Sequence, residues 1–373
     1  MMRVIYEARE NSGNDSDTPT VGTRPKMTAP FGNISPRRNL ARGERVLPGI
    51  WRLRLPMPGL SVPHCNAWAI ARDGGIALVD CGMRASGSVE NLERALSQCG
   101  LRLEQVNVLV CTHAHLDHCG QAAAVLEASG CELWMHPAYQ HRLEMSDDRE
   151  QALVERLEIG RNGGVPEPAL QKWLQERVGE AAPGEKPMTP GRALIDGIEL
   201  DTDVGRWRVV ETPGHAPSHV CLFEPNQTLL ISGDHLMGKV SLYFDYGYTP
   251  DPAGEFLASL DKVEQLDARL GLSGHGRTFF DLPGAIAANR ALVRNQLEAT
   301  LRGLEPESPR TAFEVMRTLY DGPLTPLNVA WWMNTTLCYL RHLEVNERAH
   351  RVAGEPDLWT SMEYAPTVIS LRR

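Results

Sequence analysis

The chain has no run of 18 or more apolar residues, so no segment offers the roughly 20-residue apolar span of a transmembrane helix. Its first residues, MMRVIYEARENSGNDSD, carry charges where a secretory signal would have an apolar centre. A cytoplasmic chain is expected. A basic excess is missing too: 38 Lys and Arg face 47 Asp and Glu, for a formal net charge of -9 and a pI near 5.8. Such a molecule offers no general attraction to phosphate backbones or anionic lipid, so neither nucleic acid nor a membrane is the expected partner. The eight cysteines, at 65, 81, 99, 111, 119, 131, 221 and 338, include no CxxC pair. Most lie in apolar strand-like runs such as IALVDC and VNVLVC, which argues against a disulfide framework and for buried, reduced thiols.

What is present is a globular composition. With 373 residues and 42% hydrophobic content the chain can bury a sizeable core, and its length suits one large domain with a small appendage. Residues 1–45 are polar, without apolar period, and are expected to be disordered or extended. From Trp51 the pattern changes, because Trp51, Leu53 and Leu55 alternate with Arg52 and Arg54 as in a half-buried strand. Further strands are predicted in NAWAIA, IALVDCG, VNVLVCTH, ELWMH, RWRVVETPG and TLLISGD, with helical stretches at 86–98 and 119–129. Strands interleaved with helices indicate a layered α/β domain over 46–305.

Between about 139 and 190 far more chain separates two strand-loop units than a connection requires. Leu153, Val154 and Leu157 suggest one helix there, and Leu170, Trp173, Leu174 and Val178 another, so a helical insertion is predicted. Such an element either closes over a pocket as a lid or packs on the sheet. After it, Ile286, Val293, Leu297, Leu301 and Leu304 mark a long helix. The tail, 306–373, reads as helix, helix, hairpin, the order of a winged-helix module: Phe313, Met316 and Leu319 in the first helix, Val329, Trp332, Met333, Leu337 and Leu340 in the second. Residues 309–373 hold seven arginines and seven acidic side chains. A neutral module fits packing or self-association into a homo-oligomer, with a dimer expected, better than DNA reading.

The chemistry is concentrated in C-T-His113-Ala-His115-Leu-Asp117-His118-C-G, directly after the apolar run VNVLV. Four donor side chains within six residues cannot share one face of a helix or strand, so they require a tight loop where they converge. Imidazole and carboxylate suit zinc and related divalent ions. Three later fragments supply more donors: Thr212-Pro213-Gly214-His215, Gly233-Asp234-His235 and Gly274-His275-Gly276. Cys111 and Cys119 flank the first motif and are read as small core residues, since the histidines already saturate the site.

In these motifs, taken in order, the chain resembles the metallo-β-lactamase superfamily and its glyoxalase II-like branch over about residues 48–300. The resemblance implies an αββα sandwich and a binuclear hydrolase. His113, His115 and His215 would hold one ion, Asp117, His118 and His275 a second, and Asp234 would bridge them. It also implies that Asp80 supports the site without binding metal. Two divalent ions are expected, zinc foremost, with iron or manganese compatible. A metal-bridging hydroxide would be the nucleophile, since coordination lowers the pKa of water towards about 7. Asp117 is the expected catalytic group, orienting that nucleophile and relaying a proton.

Flavodiiron relatives replace the second histidine with glutamate, whereas this chain keeps His115 and carries no flavin domain. The expected substrate is a small molecule with a thioester, lactone or comparably activated bond. The alternative is a phosphodiesterase or endoribonuclease of the β-lactamase-like 2 type, which the acidic charge and the lack of a basic RNA-clamping segment oppose. A non-catalytic binding protein on the same scaffold is opposed by the full set of seven donors. Among the remaining residues, His64 and Asn66 precede a strand near the site, and His64 reads either as a substrate contact or as a support. His219 and His235 are expected to brace the ligand loops, and His136 to end a strand. Tyr243, Phe244, Tyr246 and Tyr248 read either as a pocket wall or as packing.

Overall fold

The computed structural model describes residues 41–58, 62–141, 149–179, 189–239, 242–305 and 307–362. Of the segment 1–45 expected to be disordered or extended, residues 1–40 lie outside them, and residues 42–45 belong to a strand. That strand, β1 (Arg42–Leu47), opens a sheet continued by β2 (Ile50–Pro56), β3 (His64–Arg72), β4 (Gly75–Val79), β5 (Val106–Val110), β6 (Glu132–Met135) and β7 (Arg192–Ala193), in that spatial order. The second sheet contains β8 (Glu199–Thr202), β9 (Gly205–Glu211), β10 (Val220–Glu224), β11 (Leu229–Gly233) and β12 (Leu270–Ser273), ordered β12-β11-β10-β9-β8.

Alternation along the strands sorts the side chains into layers. On β3, Trp68 and Ile70 face the second sheet while Ala67 and Ala69 face outward; on β10, Val220 and Leu222 point inward while Cys221 and Phe223 point outward. The inner faces make the central core, including Val79, Val110, Trp207, Ile231 and Leu272. Outside the first sheet lie α1 (Ser88–Gln98) and α3 (Ala122–Ser129), which bury Leu92, Leu96 and Val125 against it. Outside the second lie α6 (Pro252–Glu264) and α7 (Leu282–Arg302). The result is the αββα sandwich.

The helical starts are written locally. Asp251 caps α6 by accepting from Gly254 N–H at 2.9 Å, and Asp281 caps α7 by accepting from Gly284 N–H at 2.9 Å, each with a proline in the first helical turn. Thr311 and Glu314 form a reciprocal capping box on α8 (Ala312–Leu319). Pro326 is the first residue of α9 (Pro326–Val345), capped by Thr325.

The insertion contains α4 (Arg149–Asn162) and α5 (Glu167–Gly179); its residues 142–148 and 180–188 lie outside the described set. Leu157, Val165 and Leu170 are buried in the same cluster as Val315, Met333 and Leu340 of α8 and α9. Backbone bonds tie the two parts together, from Phe313 N–H to Gly163 O at 2.8 Å and from Asp357 N–H to Asn162 O at 2.8 Å. Helices α8 and α9 and the hairpin β13 (Ala349–Val352) and β14 (Leu358–Ser361) thus follow the expected order, but they share one core with α6, α7 and the outer face of β10. The apolar face of α9 is covered from within the chain, which removes the main reason to expect self-association through it. Among the described residues no helix is long and apolar enough to cross a membrane.

Candidate metal centre

All four predicted motifs lie where strands end. The loop 111–115 leaves β5 and runs into the single turn α2 (Leu116–Cys119), which carries Asp117 and His118. His215 follows β9, Asp234 follows β11 and His275 follows β12. Strands β11 and β12 are parallel neighbours, so their ends bring Asp234 and His275 side by side. The loop residue Gly274 is there for space: a Cβ at that position would fall against Asp234 Oδ1 and His118 Cε1. Gly274→Ala is therefore expected to displace both donors and lower the affinity of that cluster for a divalent ion by ~10-fold or more, the scale seen when a ligand is misoriented. Competition against a chromophoric chelator measures it, and unchanged affinity would show that the crowding is absorbed elsewhere.

The seven predicted donors come together as two groups. His113 Nε2 and His215 Nε2 each lie 3.0 Å from His115 Nδ1. Beside them, His275 Nε2 is 3.2 Å from both Asp117 Oδ2 and Asp234 Oδ2, while His118 Nε2 is 3.4 Å from Asp234 Oδ1 and 3.6 Å from Asp117 Oδ2. Asp234 Oδ2 also lies 3.8 Å from His215 Nε2, which puts this carboxylate between the groups.

Each of the five imidazoles spends its other nitrogen on an oxygen. His118 Nδ1 faces Asp80 Oδ2 at 2.8 Å, His115 Nε2 faces Asp245 Oδ2 at 2.8 Å, His215 Nδ1 faces the Tyr243 carbonyl at 2.9 Å and His275 Nδ1 faces the His64 carbonyl at 2.9 Å. His113 Nδ1 lies 3.0 Å from Thr112 Oγ1, whose own proton goes to Asp80 Oδ2 at 2.9 Å. Each outer nitrogen is thus the N–H donor, which leaves each inner nitrogen available to an ion once any proton on it has left.

Three lone pairs facing one another at 3.0 Å repel unless a cation lies among them. In the neighbouring group, His118 Nε2 and Asp234 Oδ1 are buried without a hydrogen-bond partner among the described residues. Both groups have the donor types and the outer hydrogen bonds that divalent-ion sites require, so the residues present fit metal. Charges respond accordingly. Burial and the neighbouring histidines lower the His113 imidazole well below its usual range and bring His215 down to about 4. His118 and His275 go the other way: burial opposes their protonation, but Asp234 and Asp117 outweigh it and hold His275 at about 10.

Residues 60–275 match the model of the metallo-beta-lactamase superfamily. The chain belongs to that superfamily. A probable metallo-hydrolase, YqjP, of Bacillus subtilis is 25% identical over 280 residues, spanning 72% of this chain and 84% of the relative. A metallo-beta-lactamase family protein from Thermus thermophilus is similar in structure, with a TM-score of 0.74, 26% identity, and coverage of 85% of this chain and 100% of that one. A beta-lactamase domain protein from Burkholderia ambifaria shares the fold at a TM-score of 0.68 and 24% identity, covering 85% of this chain and 94% of that one.

In this metallo-beta-lactamase superfamily member the supporting residues sort themselves by geometry. Asp80, held at φ 61°, accepts from Thr112 N–H at 2.8 Å and from His118, and so fixes the loop and one imidazole together. His64 acts on His275 through its carbonyl, and Asn66 Nδ2 donates to Ser273 O at 2.9 Å and Gly276 O at 3.1 Å, tying β3 to the His275 loop. His219 Nε2 accepts from Asp234 N–H at 3.1 Å, whereas His235 is turned away into the core beside Phe256, where burial lowers its pKa to about 3. His136 follows β6 and pairs with Glu211 at 2.9 Å. Cys111 and Cys119 are buried, and the Cys111 thiol is pushed well above its ordinary value beside Cys81, as core residues would be.

Two residues of the site escaped the sequence reading, His141 and Asp245. Asp245 lies inside the aromatic run that drew attention to its neighbours, and a lone acid amid Tyr243, Phe244 and Tyr246 was the available signal. From α9, Trp331 places its ring 4.7 Å from that of Tyr243, which itself stands 5.6 and 5.8 Å from the His115 and His215 rings. Nothing in the local pattern at Trp331 marks it.

Proposed function

We propose that this metal-dependent hydrolase holds two divalent ions, zinc foremost with iron or manganese compatible, and cleaves a thioester, lactone or comparably activated bond of a small molecule. The observation that carries the reading is the convergence of five inner imidazole nitrogens, each oriented by an outer hydrogen bond, with the carboxylates of Asp117 and Asp234. Ions bound there supply a water nucleophile at neutral pH and charge stabilisation for a developing oxyanion. The chain's own residues do the rest. Asp234 stands between the two groups and aligns them. Asp117 is half-buried and kept ionised by His118 and His275, well below the ordinary carboxylate range, and we assign it the role of holding and passing a proton.

The substrate class is supported by the aromatic side of the site. Tyr243 and Trp331 form a continuous ring surface next to His115 and His215, and Trp331 stays 39% exposed, so an apolar acyl or ring portion has a surface to rest on. Of the two readings of the insertion, a lid or a packed element, packing is favoured for its described helices, which are anchored to α8 and α9. Leu170 is a core residue and unsuited to probing closure. Trp331 is the better probe. Trp331→Ala is expected to raise KM for an aromatic or long-chain acyl thioester by ~5-fold, which corresponds to the loss of one ring contact of about 1 kcal/mol, with both ions retained. Panels of thioesters, lactones and a single-stranded RNA, each at low and high salt, test the class. Cleavage of RNA alone, suppressed by salt and indifferent to Trp331, would replace this reading with the phosphodiesterase one.

A further inference from the structure

We propose that Asp245 is the positioning residue that decides which nitrogen His115 offers to metal, and that the same carboxylate sets the ligand loop beside His141 at the entrance to the inserted segment. The inference rests on the metal-binding reading above.

His115 differs from the other four imidazoles. Its Nδ1 faces the site and its Nε2 faces out, the reverse of His113, His118, His215 and His275. A free imidazole exchanges between the two neutral tautomers and can turn about its side-chain bonds, so a reversed ring needs a specific partner. Asp245 is that partner. Its Oδ2 lies 2.8 Å from His115 Nε2 and 3.2 Å from His141 Nε2, and its Oδ1 accepts from Tyr243 O–H at 2.8 Å. Its main-chain N–H donates to His215 O at 3.1 Å, so the same residue also fastens the loop of a second donor.

His141 brings the insertion in. It sits at the entrance to the 139–190 segment and is 6% exposed. Its Nδ1 lies 2.9 Å from Ala138 O, and its own carbonyl accepts from Arg156 of α4 at 2.9 Å. The same guanidinium reaches Tyr248 O–H at 3.1 Å. Asn334 of α9 reaches Tyr243 O–H at 3.4 Å. Asp245 is thus where the ligand loops, the insertion and the C-terminal helix meet. His115, His141 and Asp245 also have the spacing of a metal group. The carboxylate reading is preferred because Asp245 already satisfies Tyr243, and His115 would have to lose its second proton to bind a further ion.

The test uses the full chain with and without metal. In metal-free protein, two-dimensional 15N–1H spectra of the imidazoles are expected to show, among His113, His115 and His215, one ring in the Nε2–H form and two in the Nδ1–H form. Asp245→Ala is expected to move that one ring to a mixture or to Nδ1–H, and to weaken one of two zinc equivalents by ~10–100-fold, the range for loss of an outer partner. Asp245→Asn keeps an acceptor oxygen and the shape of the side chain, so it serves if the alanine variant fails to fold. It is expected to retain the tautomer and lose less affinity than alanine. His141→Ala leaves the His115 bond in place and should change the tautomer little.

An unchanged tautomer with unchanged affinity in a folded Asp245→Ala variant would overturn the proposal, as would loss of the Nε2–H form in a folded Asp245→Asn variant. So would a third metal equivalent in the parent that His141→Ala removes. Because the tautomer is read without metal, failure here is separable from a parent that binds no ions, which would sink the metal reading itself.

Discussion

Asp234→Ala is expected to cut kcat/KM by more than ~100-fold and to loosen both ions together, exceeding the ~10–100-fold typical of a residue that only orients a ligand. The reason is positional. One of its oxygens faces His118 Nε2 at 3.4 Å, and the other faces His275 at 3.2 Å and His215 at 3.8 Å, so a single carboxylate serves both donor groups. Removing it also leaves two raised imidazoles without one of their counter-charges. His219→Ala is the control. His219 accepts from the Asp234 N–H and pairs with Thr212 Oγ1 at 2.8 Å, so its loss softens the loop without deleting a donor. Both ions are expected to stay bound in that variant. Elemental analysis and chelator competition on the two proteins check the pair, and equal activity in both would mean that Asp234 is not shared between ions.

Ion uptake should also be strongly dependent on pH, and differently so at the two groups. Metal binds neutral imidazole, so any proton on a donor must leave first. His118 and His275 carry protons at neutral pH in the metal-free chain, because Asp234 and Asp117 overcome the burial that opposes charge, with His275 titrating at about 10. His113 and His215 are neutral at the same pH, with burial and neighbouring imidazoles lowering His215 to about 4.

Binding at the Asp117, His118, Asp234, His275 group is therefore expected to release about two protons at pH 7, while these two histidines of the other group release none. Affinity at the former should rise by up to ~100-fold per pH unit from neutrality towards pH 10, as two-proton linkage requires. The sign for stability follows. The raised pKa values of His118 and His275 contribute stability that is fully present below about 6.5, the unfolded value, and lost as pH rises through about 10 for His275. The depressed value of His215 acts oppositely, and its contribution is lost as pH falls from about 6.5 through about 4. Calorimetric titrations in buffers of different ionisation enthalpy count the protons directly. A proton count near zero for both ions would contradict the charge assignment.

Most of the strands, the helices 86–98 and 119–129 and the seven donors could be read in advance because each has a local signature. Period-two alternation marks β2 and β3, and proximity in sequence marks His113 to His118. The elements that were missed lack such a signature. Strand β12 is four residues long, and its LGLS has no alternation against polar neighbours. Strand β10, VCLFE, is buried on both faces between β9 and β11, so nothing polar alternates with its apolar residues until Glu224. Helix α6 was hidden behind the aromatic run before it, although the Asp251-Pro252 start is a recognisable cap in retrospect.

By itself the sequence determined the layered α/β architecture and the loops that carry the seven candidate donors, because periodicity, turn glycines and ligand spacing act over a few residues, while the supporting role of Asp80 came from the resemblance to the superfamily. Only the tertiary structure decided which nitrogen each histidine presents, since that depends on acceptors as distant in the chain as His64 for His275 and Asp245 for His115. It also decided that the insertion and the tail share one core and that Trp331 reaches the aromatic side of the site. These contacts join residues about 90 to 210 positions apart, and no local pattern encodes them: they follow from how strand ends and helix faces happen to meet once the sandwich has closed.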